Sequence, residues 1–227
     1  MVSPAEGELL MGYVLHHGDC LEYMRGMDSA SVDVVFADPP YNVGLKYATY
    51  NDKLDKQAYR DWCAEWFVEC KRIARYNVII TPGMVSVPMW LKEIEPTHYL
   101  IAWTKQNNCS RNYIGKTSGF QTWEPILVYG RAKRCILRDS VDVPISRQKD
   151  AAGHPCPKPL KLLRWIVTNF TERGDIVFDP FTGSGTTGVA SLMEERNFIG
   201  TEMDAAYYAI SKRRLDNVQP LLAEAAD

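Results

Sequence analysis

The run Val32-Asp33-Val34-Val35-Phe36-Ala37 and the four residues that stop it, Asp38-Pro39-Pro40-Tyr41, constrain this chain more than any other stretch. The run is short, apolar and rich in β-branched residues, which suits a buried strand. Proline fixes its own φ and drives the residue before it to extended geometry, so Asp38 and Pro39 follow a set backbone path. Neither proline has an N–H, and the carbonyls of Asp38 and Pro39 meet no local donor. The turn therefore offers a carboxylate, carbonyl oxygens and an aromatic ring at a sheet edge. That set suits a planar ring with an exocyclic amino group: the oxygens accept from the NH2 and Tyr41 stacks on the face. A strand-ending Asp-Pro turn with a tyrosine in the core accounts for these four residues equally well.

A second stretch separates the two readings. Ile176-Val177-Phe178-Asp179-Pro180-Phe181-Thr182-Gly183-Ser184-Gly185-Thr186-Thr187 reads as a strand, a glycine turn and a helix start. Gly183 and Gly185 let the backbone approach a ligand, and the first turn of the helix has unpaired N–H groups. The spacing is not GxGxxG and no P-loop lysine follows, so phosphate is not the expected guest. Further on, Phe198-Ile199-Gly200-Thr201-Glu202 is a strand ending in an acid. An acid placed there holds two ribose hydroxyls in dinucleotide folds. Together these features indicate a nucleoside cofactor lacking a pyrophosphate, with Asp179, Phe181, Gly183, Gly185, Thr186 and Glu202 as its candidate contacts.

The early Asp-Pro-Pro-Tyr and late Asp-Pro-Phe-Thr-Gly-Ser-Gly-Thr-Thr resemble the amino-methyltransferases of DNA, which use S-adenosylmethionine. Catalytic turn before cofactor turn is similar to the β class of that family, and the resemblance runs from about Val14 to Leu215. It implies a Rossmann-like α/β fold: a mostly parallel, doubly wound sheet with one antiparallel strand, for which Trp123–Tyr129 is the candidate. It also implies that Asp38 and Pro39 accept the hydrogens of the target amine, with Pro40 and Tyr41 completing the catalytic turn and Tyr41 stacking on an extruded base. Asp19, after Gly18, would accept from the adenine amino group of the cofactor; a helix cap explains it nearly as well. The Gly153-His154-Pro155…Lys158-Pro159 approach to a helix would bring Lys158 to the methionine carboxylate, against a plain proline-led helix start. An Asp-initiated turn is associated with adenine N6, leaving cytosine N4 as the alternative. A catalytically idle nucleic-acid-binding protein of the same fold is a further one.

A chain of 227 residues, 46% hydrophobic and 24% charged, is expected to form a single soluble domain over 1–227, which the resemblance makes a methyltransferase domain. Its catalytic half would span 13–130 and its cofactor half 153–215. Six cysteines show no CxxC pair and no metal spacing with the four histidines, so reduced thiols and no metal are expected. With no signal peptide or long apolar run, the expected location is cytoplasmic, away from membranes.

Net charge is −2, yet residues 104–150 hold nine Lys/Arg against four Asp/Glu, interleaved with amides and aromatics. This stretch is the candidate target-recognition insertion, with Lys105, Arg111, Lys116, Arg131, Lys133 and Arg134 as candidate DNA contacts. A solvated loop is the plainer reading. The resemblance makes DNA the partner and allows a homodimer.

The remaining pattern alternates strands and helices. Strands are expected at 13–17, 76–81 and 99–103. Leu54, Ala58, Trp62, Trp66, Cys70 and Ile73 recur at helical spacing, with the tryptophans read as core. Leu163, Ile166, Val167 and Phe170 form a second helical stripe, a short helix is expected at 87–93, and Asp204 caps a final helix.

Overall fold

The computed structural model describes residues 12–44, 52–105, 110–114, 117–131, 133, 138–145 and 158–218, the side chains of 110–120 excepted. The elements in chain order are β1 (Tyr13–His17), α1 (Cys20–Arg25), β2 (Val32–Ala37), α2 (Lys56–Ile73) and β3 (Ala74–Ile80). Next come α3 (Val87–Met89), β4 (Tyr99–Thr104), β5 (Ser110–Ile114), β6 (Thr117–Gln121), β7 (Trp123–Gly130) and β8 (Ser140–Asp142). The last third holds α4 (Leu160–Phe170), β9 (Ile176–Asp179), α5 (Thr186–Met193), β10 (Asn197–Glu202) and α6 (Ala205–Asp216).

Eight strands form one sheet in the order β1-β10-β9-β2-β3-β7-β4-β8. β7 runs antiparallel to both neighbours, β3 and β4, while every other pairing in this sheet is parallel. The expected antiparallel strand is therefore 123–130, inserted between two strands that point the same way. β2 is covered on both faces, which is why its sequence is apolar throughout. Val35 and Ala37 join the core beneath α1 and α2, with Met24, Trp66, Phe67 and Cys70. Val34 and Phe36 join the opposite core, with Leu162, Leu163, Ile166, Val167 and Phe170 of α4.

Local signals set the boundaries. Asp55 caps α2, accepting from the N–H groups of Gln57 and Ala58, so Leu54 lies outside the helix and packs on its core. Asp204 caps α6 in the same way. The short helix expected at 87–93 is a composite: a 3-10 turn (Met84–Ser86), α3, and a π turn (Trp90–Ile94). Two features have no counterpart in the sequence reading. One is the separate antiparallel ribbon of β5 and β6, and the other is β8 alongside β4.

Candidate active site

The ligand-facing edge is the carboxyl end of the parallel strands, and the neighbours β1, β10, β9 and β2 each deliver part of the site there. β2 delivers Asp38-Pro39-Pro40-Tyr41, β9 delivers Asp179 and the glycine turn, β10 delivers Glu202, and β1 delivers Gly18-Asp19. One cavity is lined by all of these. Open α/β sheets bind ligands at this end of their strands.

The Asp38-Pro39-Pro40-Tyr41 turn is held from several sides. The Tyr59 hydroxyl donates to the Pro40 carbonyl at 2.8 Å. Asn42, with φ +58, and Val43 donate their N–H groups to the buried Asp52 carboxylate at 2.7 and 3.1 Å. Asp38 Oδ1 accepts from the Tyr41 hydroxyl at 2.7 Å and from Thr81 Oγ1 at 2.6 Å. Lys158 Nζ lies 2.7 Å from Oδ1 and 2.8 Å from Oδ2 of the same carboxylate, and 2.5 Å from the Tyr41 hydroxyl. Burial, then the charge of Asp38, pushes the Tyr41 phenol well above its usual range, so it stays a donor.

The glycine turn is stitched to β10. Thr182 N–H donates to the Thr201 carbonyl at 3.1 Å, and Thr201 Oγ1 donates to the Pro180 carbonyl at 2.8 Å. Gly185 has φ +84, and a Cβ there would lie 2.8 Å from Ser211 Cβ of α6. Glycine is thus required both by the left-handed backbone and by the packing of α6. Glu202 accepts from Gly183 N–H through Oε2 and from Asp204 N–H through Oε1, each at 2.7 Å. With one donor per oxygen, each oxygen keeps acceptor capacity. Asp179 accepts from Phe181 N–H at 2.8 Å, and burial pushes its carboxyl up to about 7.

A family model described as DNA methylase matches residues 32–144 and 140–213. The chain belongs to the DNA methylase family. Type II methyltransferase M2.MboI of Moraxella bovis is 30% identical to it over 92% of this chain and 89% of that protein. DNA adenine methyltransferase YhdJ of Escherichia coli (strain K12) is 27% identical, over 92% of this chain and 84% of that one. Among solved structures, the M1.HpyAVI–SAM complex superposes with a TM-score of 0.64 at 26% identity, covering 90% of this chain and 99% of that one.

In this DNA methylase the sequence-derived residues fall into two groups. Asp19, Asp38, Pro39, Pro40, Tyr41, Lys158, Asp179, Phe181, Gly183, Thr186 and Glu202 all line the cavity. Gly185 stands just behind it as the N-cap of α5. Asp19 lines the cavity and also accepts from Glu22 N–H at 3.0 Å as the cap of α1. Lys158, expected at a cofactor carboxylate, is instead paired with Asp38.

Among the described residues, the basic ones do not gather. Lys105 is 7% exposed, ion-paired with Glu124 and 5.3 Å from the Trp103 ring. Lys133 pairs with Asp175, 2.8 Å, and Glu172, 3.1 Å. Asp175 precedes β9 and Arg131 follows β7, so Lys133 and the exposed Arg131 sit at the sheet edge away from the cavity. Like-charge counting along a sequence cannot see such pairing, and both lysines are already ion-paired. The Arg111 side chain, Lys116 and Arg134 lie outside the described residues.

Several site residues carry no sequence signal. Trp62, read as core, lines the cavity with its ring 5.6 Å from that of Phe181, whereas Trp66 is fully buried. Thr81, the residue that follows β3, donates to Asp38. Arg214 of α6 donates to the Ser184 carbonyl at 2.5 Å and to Thr186 Oγ1 at 3.2 Å, bracing the glycine turn.

Proposed function

We propose that this DNA methylase transfers a methyl group from S-adenosylmethionine to the exocyclic N6 amine of adenine in DNA, acting on a base extruded from the stack. The observation that carries this reading is the shared cavity: the Asp38 carboxylate and the Gly183–Glu202 ligand cradle stand at the ends of strands in one edge of the sheet. The relative named a DNA adenine methyltransferase supports adenine, and the relative solved with SAM supports the cofactor.

The donor set fits that cofactor. The lining is acid-rich, which suits a sulfonium cation, and Glu202 retains acceptor capacity for ribose hydroxyls. Phe181 and Trp62 offer apolar surface for a base, with Asp19 as acceptor for its amino group. When bound, S-adenosylmethionine supplies an electrophilic methyl on a positively charged sulfur.

The chain's own residues do the rest. An exocyclic amine is a poor nucleophile because its lone pair is delocalised into the ring. Asp38 and the Pro39 carbonyl accept its two hydrogens, which favours a pyramidal nitrogen with its lone pair available. The same carboxylate stabilises the positive charge that develops on that nitrogen, and Asp38 holds the hydrogen that the amine must lose. Thr81 and Tyr41 fix Asp38 in place, and orientation in the cavity supplies much of the remaining advantage. A stacked base cannot reach an Asp38 set in a cavity, so extrusion or a single strand is required.

Target recognition is assigned to 104–150, the stretch that carries the β5–β6 ribbon. Transfer would take place in the cytoplasm, and the resemblance allows a homodimer. No helix among the described residues is long and apolar enough to cross a membrane. The test is expression in a methylation-deficient host, followed by mass spectrometry of hydrolysed DNA and sequencing of modified bases. N6-methyladenine is expected. N4-methylcytosine alone would reassign the substrate, and unmodified DNA would leave an idle binding protein.

A further inference from the structure

The cavity is lined by five acidic side chains, Asp19, Asp38, Asp179, Glu202 and Asp204, and among its described lining residues Lys158 is the one cation. That ammonium is bound to the carboxylate assigned to the substrate. Its three hydrogens are matched by Asp38 Oδ1 at 2.7 Å, Asp38 Oδ2 at 2.8 Å and the Tyr41 hydroxyl at 2.5 Å. The Lys158 side chain is 10% exposed. An amino nitrogen donating to Asp38 inside this cavity is what the target base would be.

We propose that Lys158 is a placeholder for the target amino group, which yields Asp38 only when a carboxylate-bearing cofactor in the same cavity takes over its ammonium. The proposal rests on the methyl-transfer reading and adds an order of events to it. A buried ammonium does not leave its counter-ion without finding another, because the unpaired charge is strongly destabilised. The other acids of the cavity already serve the backbone. Glu202 accepts from Gly183 and Asp204, Asp179 from Phe181, Asp19 caps α1 and Asp204 caps α6. A carboxylate that serves no backbone N–H arrives with the ligand, since a cofactor ending in an amino acid brings one.

Lys158 directly precedes Pro159, the N-cap of α4, so its backbone is anchored while a flexible four-carbon stem lets the charge move. Departure of the lysine also serves the reaction, since a cation beside Asp38 opposes the charge developing on the amine. Cofactor binding and recognition of the amine are then positively and reciprocally coupled.

Two DNA duplexes test this. They carry a site found methylated by sequencing, with adenine at the target position in one and purine, which lacks the 6-amino group, in the other. The ratio of their affinities, measured by fluorescence anisotropy, reports the amine contact. For the wild-type protein alone the ratio is expected to stay below about twofold, and with S-adenosylhomocysteine to reach about tenfold. With 5′-methylthioadenosine, which lacks the amino-acid end, it should stay low. Lys158→Met should show the high ratio with no cofactor at all. A wild-type protein that already prefers adenine without cofactor overturns the proposal, as does a folded Lys158→Met protein that gains no preference. If that variant does not fold, equal ratios with the two cofactor analogues on wild-type protein overturn it. DNA that the wild type never methylates would remove the methyltransferase reading itself. Methylated DNA with an unchanged ratio removes only the placeholder.

Discussion

The Tyr41 ring rests on the backbone of Gly83, so closely that a Cβ at residue 83 would lie 3.0 Å from the ring's Cγ and 3.1 Å from its Cδ2. Gly83 also has φ +69, a conformation that side-chain-bearing residues rarely adopt. The turn after β3 is thus shaped around the ring of Tyr41. Gly83→Ala is expected to lose about 1–3 kcal/mol of stability from backbone strain, and to slow methyl transfer by displacing Tyr41. Urea denaturation and single-turnover rates check the two effects. A fast, stable alanine variant would show that the turn tolerates a shift of the ring.

Asp38→Ala should abolish methyl transfer without weakening cofactor affinity, because its oxygens act on the target amine and its loss releases Lys158. Asp38→Asn keeps an acceptor without the charge, and a rate loss of about 10²–10³ is expected, as for other preorganised electrostatic partners. Tyr41→Phe removes a hydroxyl that both donates to Asp38 and accepts from Lys158. It should therefore cost about 1–3 kcal/mol, the penalty for a buried polar network left incomplete. Single-turnover methylation with parallel calorimetry of the cofactor distinguishes these outcomes. Full activity in Asp38→Ala ends the amine-activation mechanism.

Glu202→Ala should weaken S-adenosylmethionine binding by about 1–3 kcal/mol. The loss combines the missing acceptor for the ribose with the orphaned N–H groups of Gly183 and Asp204. Glu202→Gln, which still accepts, should lose less. Calorimetry that finds wild-type affinity in Glu202→Ala takes this residue out of the cofactor site.

What the sequence made legible is what local pattern encodes. The strands ending at Asp38, Asp179 and Glu202 were readable because both-faced burial forces short β-branched runs. The α4 stripe was readable from its period, and the antiparallel strand at 123–130 from an apolar run lying where the family places it. Thr81 on Asp38, Gly83 under Tyr41, Lys158 against Asp38 and Arg214 on the glycine turn are contacts between residues far apart in the chain. No window of sequence contains both partners. The β5–β6 ribbon was missed because Ser110–Ile114 and Thr117–Gln121 are mostly polar and show no alternation of apolar residues.

The same blindness to pairing bears on the DNA surface. Lys133 is ion-paired with Asp175 and Glu172 at the edge away from the cavity, and Lys105 is buried against Glu124. Lys133→Ala should lower the melting temperature yet leave the salt dependence of DNA affinity unchanged. Loss of a true phosphate contact would flatten that slope by about 0.9. A flattened slope in Lys133→Ala would put this edge on the DNA.

Asp179 sets an unusual pH dependence. Burial pushes its carboxyl up to about 7, aided by the nearby charges of Asp38 and Glu202 and opposed by donors from Thr187 and Phe181. The folded protein therefore holds a proton that the unfolded chain has lost, in the window between the ordinary carboxylate value of 3.8 and about 7. The stabilising contribution of the neutral form is complete below that window and is lost as pH rises through it. The gap bounds the effect at about 4 kcal/mol. Asp179→Asn keeps an acceptor for Phe181 and cannot ionise, so its stability should fall less between pH 5 and pH 8 than that of the wild type. Ionised Asp179 also favours a cationic ligand in the cavity it lines, so S-adenosylmethionine affinity should tighten as pH rises through about 7 in the wild type and stay flatter in Asp179→Asn. Urea denaturation at several pH values and calorimetry with the cofactor measure the two arms. Parallel stability curves for the two proteins would show that Asp179 is already charged when the protein folds.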